Sequence, residues 1–331
     1  MLIPRRALYI NLIGKKLIFL IDILLSSTSQ GLLWSLLAIG VFLTYRILDI
    51  ADLTTEGSFP LGGAVAAVIL VKEPETWPSF LQPILTSHPL VLPVLALIIA
   101  FIAGALAGLV SGILHTKLKI PALLAGIITM TGLYSINSRI MGAPNISLLG
   151  AETIFSQAQK LGVDKVTSVI LVGLVVVMLV IGLLTLFFKT EIGLATRATG
   201  DNIDMSQANG INTDRMKMIG YMLSNGCIAL SGALLIQNNN FADLNSGIGT
   251  IVIGLASIII AEVLLRNRPL FSRMLTIVVG AILYRFILAL VLEFNVDPTD
   301  LKLFSALILV LCLSSPLIQK KLKLPKKGGA R

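Results

Sequence analysis

"VTSVILVGLVVVMLVIGLLTLFF", residues 166–188, contains no charged residue and no proline. An α-helix rises about 1.5 Å per residue, so a run of this length crosses the roughly 30 Å hydrocarbon core of a bilayer. Inside hydrocarbon every backbone group must be paired within the structure, which leaves the α-helix as the natural form for such a run. The chain then turns polar at "GLATRATGDNIDMSQANGIN", 193–212, and returns to an apolar run at "MIGYMLSNGCIALSGALLI", 218–236. A hydrophilic island between two apolar spans is the organising feature of the sequence.

Composition extends the reading to the whole chain. Of 331 residues, 56% are hydrophobic and 13% charged, against about 25% charged in a soluble domain. The mean hydropathy is +0.93. The expected fold class is all-α, a polytopic transmembrane helical bundle of about 8–10 spans. Candidate spans lie near 30–47, 57–71, 90–114, 120–141, 166–188, 217–236, 247–265, 274–293 and 301–318. Residues 1–29 read as an interfacial lead-in, 30–318 as the transmembrane domain containing the polar segment 189–217, and 319–331 as a basic tail.

The formal charge of +9 sits mostly in short loops and the tail. It reads as orientation in a lipid bilayer, with no basic stripe of the kind that grips nucleic acid. The tail, "LLRNRPLFSR" (264–273), the segment 189–217 and "HTKLK" (115–119) form the basic, cytoplasmic set. The loops 293–300, 237–247, 142–165 and 72–89 are poor in lysine and arginine and fall on the opposite face. Nine full spans would place residues 1–29 on that face too, against their four basic residues Arg5, Arg6, Lys15 and Lys16. Either 57–71 is re-entrant, or the lead-in holds another membrane element, or the rule fails there.

A weak internal echo links the two halves. "ADLTTEGSFPLGGAVA" begins at Ala51 and "ADLNSGIGTIVIGLAS" at Ala242, with Gly63 opposite Gly254 and Ala38 opposite Ala229. Each copy puts a polar elbow between apolar helices. Under the nine-span count the elbows face opposite sides, as in an inverted repeat, where a transport pathway lies at the repeat interface. Asp52, Thr54, Thr55, Glu56 and Ser58 in the first elbow, with Asn245 and Ser246 in the second, are therefore the expected pathway residues, because so many polar groups are costly against lipid. The plainer alternative for Ser58 is a helix N-cap at a membrane edge.

Chemistry of other kinds finds no foothold. There is no G-x-x-x-x-G-K-[ST] loop, so any ATP must bind another chain. His88 and His115 lack metal-ligand spacing, and Cys227 and Cys312 sit within apolar spans. No cofactor, metal or catalytic residue is expected. Glu262 lies one turn before Arg266, which suggests an i,i+4 pair. Arg285 falls in mid-span and calls for a structural partner.

The polar island carries both signs of charge, with Lys189, Arg197, Arg215 and Lys217 against Glu191, Asp201, Asp204 and Asp214. Asp201 and Asn202 are cap-like before a short helix that ends near Gly210. Two quoted blocks carry a resemblance. "TEIGLATRATGDN…ANGIN…K" at 190–217 resembles the cytoplasmic coupling segment of ABC-importer permeases of the branched-chain amino acid and ribose family. "GLLWSLLAIGVFLTYRILDIADLTTEGSFPLGGAVAA" at 31–67 resembles the first block of that family, most closely a subgroup that works with a lipoprotein binding protein and in part serves aromatic amino acids. The resemblance covers roughly residues 30–318 and implies a homodimer of permease copies. It also implies cytoplasmic ABC ATPase subunits beneath them, an extracytoplasmic binding protein, and a bacterial plasma-membrane location. It assigns the coupling role to Gly193, Ala195, Arg197, Ala198, Thr199, Gly200, Asp201, Asn202, Ala208, Gly210 and Ile211. An ion-coupled secondary transporter or channel working without an ATPase would account equally well for the inverted echo.

Overall fold

The computed structural model describes residues 5–72, 88–160, 162–264, 269–293, 297 and 300–322, with side chains described between 20 and 314. Among these, the chain forms twelve α-helices and one two-stranded ribbon. Helix α1 (Arg5–Phe42) passes into a π turn at Leu43–Ile47, followed by α2 (Thr55–Val71), α3 (Val91–Thr116) and α4 (Ala122–Met141). Strand β1 (Asn145–Ser147) and α5 (Ile154–Lys160) lead to α6 (Lys165–Phe187). The polar island folds as α7 (Glu191–Asp201) and α8 (Ile203–Ala208). Then come α9 (Thr213–Asn239), β2 (Phe241–Asp243), α10 (Thr250–Leu264), α11 (Leu270–Glu293) and α12 (Leu301–Leu322).

The all-α membrane bundle expected from hydropathy is what the structure shows, and each apolar segment picked out by hydropathy lies on a helix. Among the described residues, five stretches are long and apolar enough to cross a bilayer: Leu20–Ile47, Val91–Thr116, Lys165–Phe187, Thr213–Asn239 and Leu270–Glu293. Thr55–Val71 and Thr250–Leu264 are shorter apolar helices. Outward faces are apolar, as the stripe Val94, Ile98, Ile102, Leu106, Val110 on α3 shows. Its i, i+4 spacing keeps those side chains on one lipid-facing side. α1 continues without a break from Arg5 through Phe42, across the 29–30 boundary drawn from sequence.

At the centre stands α9, which packs on α1, α2, α3 and α7. Its sequence explains the position. Gly220, Ser224, Gly226, Ala229, Ser231, Gly232 and Ala233 recur along it, and small residues let helix backbones approach closely in a membrane. A Cβ on Gly62, Gly104 or Gly108, in the neighbouring helices, would overlap backbone or side-chain atoms of α9. Asn212 caps the helix by accepting from the Arg215 N–H at 3.1 Å.

The helix packing follows the echo in the sequence. Aligning Ala51-Asp52-Leu53 on Ala242-Asp243-Leu244 pairs α1 with α9 and α2 with α10. α9 packs on α2 and α3 as α1 packs on α10 and α11, and α4 packs on α2 as α12 packs on α10. The match reaches single residue pairs. Ser224 Oγ donates to the Gly40 carbonyl at 2.7 Å, and Ser231 Oγ donates to the Leu33 carbonyl at 2.8 Å. The alignment places Leu33 opposite Ser224 and Gly40 opposite Ser231, so the two residue pairs exchange with one another, while both hydroxyl donors stand on α9 and both carbonyl acceptors on α1. Both elbows also close the same Asx turn, Asp52 Oδ1 accepting from the Thr54 N–H at 2.9 Å and Asp243 Oδ1 from the Asn245 N–H at 3.0 Å. Because each serine makes one buried bond between α9 and α1, Ser224→Ala and Ser231→Ala should each lower stability by about 0.6 kcal/mol, the mean for interhelical bonds in membranes. Thermal unfolding of the purified protein checks this, and a variant that melts at the unsubstituted temperature would show that its serine bond adds nothing to the bundle.

Two ends of the bundle can now be distinguished. The module end carries α7, α8, the 117–121 turn and the start of α9, tied by Lys119 Nζ to Asp214 at 3.6 Å. Glu262 on α10 is on this end as well, paired with Arg46 in the π turn and with Arg273 at 3.8 Å. The expected Glu262–Arg266 pair falls outside the described residues, which do not include Arg266. The ribbon end holds β1 and β2, antiparallel with Ile146 opposite Ala242. Arg285 finds an aromatic partner, its guanidinium 4.2 Å above the Trp34 ring, which itself stacks on Phe59 at 5.3 Å.

Candidate functional site: the elbow seam and the polar module

The first elbow begins where α1 leaves regular helix. The Leu48 N–H bonds to Leu43 O at 3.2 Å and the Ile50 N–H to Thr44 O at 2.9 Å, and Asp49 takes a left-handed φ of 54°. The chain then folds inward. Asp52 Oδ2 accepts from Asn225 Nδ2 at 2.8 Å, and Ser58 Oγ donates to Asn225 Oδ1 at 2.7 Å. Thr54 Oγ1 and Ser111 Oγ on α3 lie 2.5 Å apart, and Thr55 Oγ1 donates to the Asp52 carbonyl at 3.1 Å. Asp52, Thr54, Thr55 and Ser58 are all buried. They form a closed polar node that fixes the elbow to α9, since buried polar groups persist only when paired. Ser58 lies inside α2, whose N-cap is Thr54 without a side-chain cap bond.

Glu56 faces the other way. Its Oε1 accepts from the Gly249 N–H at 3.0 Å, so the starts of the two short helices α2 and α10 meet across the repeat interface. Pro60 has no N–H to give the Glu56 carbonyl, and Gly247 sits against that carbonyl and the proline ring so closely that a Cβ would overlap them. A cavity of about 270 Å³ opens beside this seam. Glu56, Asn137 and Asn245 supply its polar wall, and Pro60, Met130, Tyr134 and Ile248 its apolar wall. Asn137 Nδ2 donates to the Gly57 carbonyl at 3.2 Å while its Oδ1 is buried without a partner. Of the elbow residues expected to line a pathway, the structure brings Glu56 and Asn245 to this cavity. It sends Asp52, Thr54, Thr55 and Ser58 to the node and leaves Ser246 in the turn, its N–H on Asp243 O at 3.2 Å. Reasoning from the elbows alone missed Met130, Tyr134 and Asn137 on α4. The polar letters of "TMTGLYSINS" within an apolar span were the available signal.

The module builds two capped helices where one was expected. Thr190 Oγ1 accepts from the Gly193 N–H at 3.2 Å, and Asn202 Oδ1 from the Met205 N–H at 2.9 Å. Gly210, at φ 79°, follows the second helix. The coupling residues divide by contact. Gly193 packs against the last turn of α6 and Gly200 against the Ile47 carbonyl, with no room for a Cβ at either. Thr199 is buried; Ala195, Ala198 and Ile211 are partly so; Arg197, Asp201, Asn202, Ala208 and Gly210 are exposed. Ile192, Leu194, Ile203 and Met205 put apolar surface into water beside them.

Residues 23–314 match the family described as branched-chain amino acid transport system / permease component. The chain belongs to this family. A tyrosine transport system permease protein of Clostridioides difficile (strain R20291) is 37% identical over 300 residues, covering 91% of this chain and 93% of its own. An uncharacterised protein of Rickettsia prowazekii (strain Madrid E) is 34% identical, covering 89% and 98%. A probable branched-chain amino acid transport permease protein of Methanocaldococcus jannaschii is 27% identical over 60% of this chain and 61% of its own. No solved structure matches the sequence. Within the family's terms this is a multi-pass membrane permease component.

Proposed function

We propose that the chain is the translocation subunit of a bacterial ABC importer. It moves a small polar solute, an amino acid by preference, inward across the cytoplasmic membrane, driven by ATP hydrolysis in separate ATPase subunits. In this reading the module end and the basic C-terminus are cytoplasmic. A second copy of the permease completes the pathway, and an extracytoplasmic lipoprotein delivers the solute. The name of the Clostridioides difficile relative supports an amino acid as cargo.

The observation that carries the reading is one contact. Gly200 of α7 rests on the Ile47 carbonyl, at the end of the π turn that leads into the Asp52 elbow. A partner holding the exposed apolar residues of the module would thus push on the chain just before the pathway elbow. Binding energy from a nucleotide-driven partner biases one arrangement of a two-state element. π turns mark functional sites within helices more often than chance, and this one joins the module to the elbow.

Placing aspartate at Leu194 and Met205 together tests it. Cells carrying the variant should take up labelled amino acid at least about tenfold more slowly, as expected when interface anchors are lost, with the permease inserted at normal levels. Uptake at the unsubstituted rate would remove the module from the coupling role, and labelling of Met205→Cys only from outside the cell would reverse the orientation.

A further inference from the structure

We infer that the cavity at the elbow seam receives the ammonium end of an amino acid that has a large apolar or aromatic side chain, with Glu56 and Asn137 as acceptors. The inference rests on the translocation reading and sharpens it. Three oxygens around Glu56 set the chemistry. Glu56 uses one carboxylate oxygen on the Gly249 N–H and has the other available. Asn137 Oδ1 is buried with no donor, in a side chain only 1% exposed. The Glu56 main-chain carbonyl is denied its helical donor by Pro60. Among the described residues lining the cavity there is no lysine or arginine; Lys302 of α12 acts on the Glu56 carboxylate only through its charge, without lining the cavity. A buried acceptor left unpaired is costly, so the group that fits here brings several N–H donors on one centre, and a positive charge suits the carboxylate. A primary ammonium does both, whereas a carboxylate would meet like charge.

The rest of the wall describes the remainder of the solute. Met130, Tyr134, Pro60 and Ile248 offer apolar and aromatic surface, and methionine adapts its shape and favours contact with aromatic rings. The volume of about 270 Å³ lies just below the usual range of roughly 300–1,000 Å³ for drug-sized ligands. That suits a single amino acid. α4 brings Asn137 here because the β1–β2 pairing holds the loop after α4 against the second elbow. Both repeats thereby contribute to one site, the first through α2 and α4 and the second through its elbow.

The test uses the purified full-length permease in lipid nanodiscs with L-tyrosine, tyramine and 3-(4-hydroxyphenyl)propanoate, read by saturation-transfer NMR. Tyrosine and tyramine share the ammonium; the propanoate keeps ring and carboxylate but lacks it. The first two should bind at millimolar concentration and the propanoate at least about tenfold more weakly, as befits a lost hydrogen bond to a charged group. Glu56→Gln is isosteric and keeps an acceptor for the Gly249 N–H, so it should fold normally and abolish the preference. Equal binding of all three, a preference untouched by Glu56→Gln, or no tyrosine binding at all would overturn the assignment. Each of these leaves the translocation reading to the uptake assay of the module variant, which fails or succeeds independently.

Discussion

Gly200→Val should abolish transport. The added Cβ would occupy the position of the Ile47 carbonyl oxygen, and a backbone atom cannot move aside as a flexible side chain can. Overpacking of this kind costs roughly 1–3 kcal/mol. Here the cheapest escape is for α7 to lift away from the π turn. The bundle itself has no reason to unfold, since its packing is made by α1, α2, α3 and α9 on the other side of the contact. The expected signature is therefore local. Amide hydrogen exchange should lose protection in residues 191–201 and keep it in α9, while uptake of labelled amino acid falls by more than about tenfold. Gly182→Ala in α6 is the matched control. Nothing lies within 4 Å of a Cβ there, and alanine is the better helix former by up to about 1 kcal/mol. That variant should transport normally. A Gly200→Val protein that transports at the unsubstituted rate would show that the module does not act through the α1 contact.

The parts of this fold that could be read from sequence are those set by solvent. Residues 166–188 had to be a spanning helix because lipid accepts little else, and the polar island had to leave the bilayer. The repeated Ala-Asp-Leu was readable because each aspartate makes the same local Asx turn, a bond between neighbours in the chain. What stayed hidden depends on helices far apart in sequence. Ser58 and Glu56 are two residues apart on a helix, and a 100° step per residue separates their directions. Ser58 meets Asn225, while Glu56 meets Gly249. No local pattern says which neighbour stands on which side. The repeat also conceals a divergence. The alignment puts Trp34 opposite Asn225, so α9 holds the first elbow with an amide where α1 sets an indole under Arg285. Polar groups in a membrane sequence thus announced that they must be buried in protein, without saying whether they would close a node or line a cavity.

That distinction has its clearest consequence at Asn225. Asn225→Leu should destabilise the protein by roughly 3 kcal/mol, because it removes the donor to Asp52 Oδ2 and the acceptor from Ser58 Oγ in one step. Each orphaned buried group costs about 1–3 kcal/mol, more if charged. Leucine fills a similar space, so the loss is one of pairing and not of volume. Asp52→Leu should be comparably damaging, since it strips both the Asn225 amide and the Thr54 N–H of their acceptor. The decisive variant is the exchange Asp52→Asn with Asn225→Asp. Asparagine at 52 still accepts from the Thr54 N–H and now donates across the gap; aspartate at 225 accepts from it and from Ser58. Only the Asn225 Nδ2 bond to the Tyr221 carbonyl, 3.0 Å, has no substitute. The exchange should recover most of the stability lost by either leucine variant, a strong positive coupling in a double-mutant comparison of melting temperatures. If the exchanged protein were instead as unstable as the leucine variants, the node would depend on the charge residing at position 52, and Asp52 would need a role beyond holding the elbow to α9.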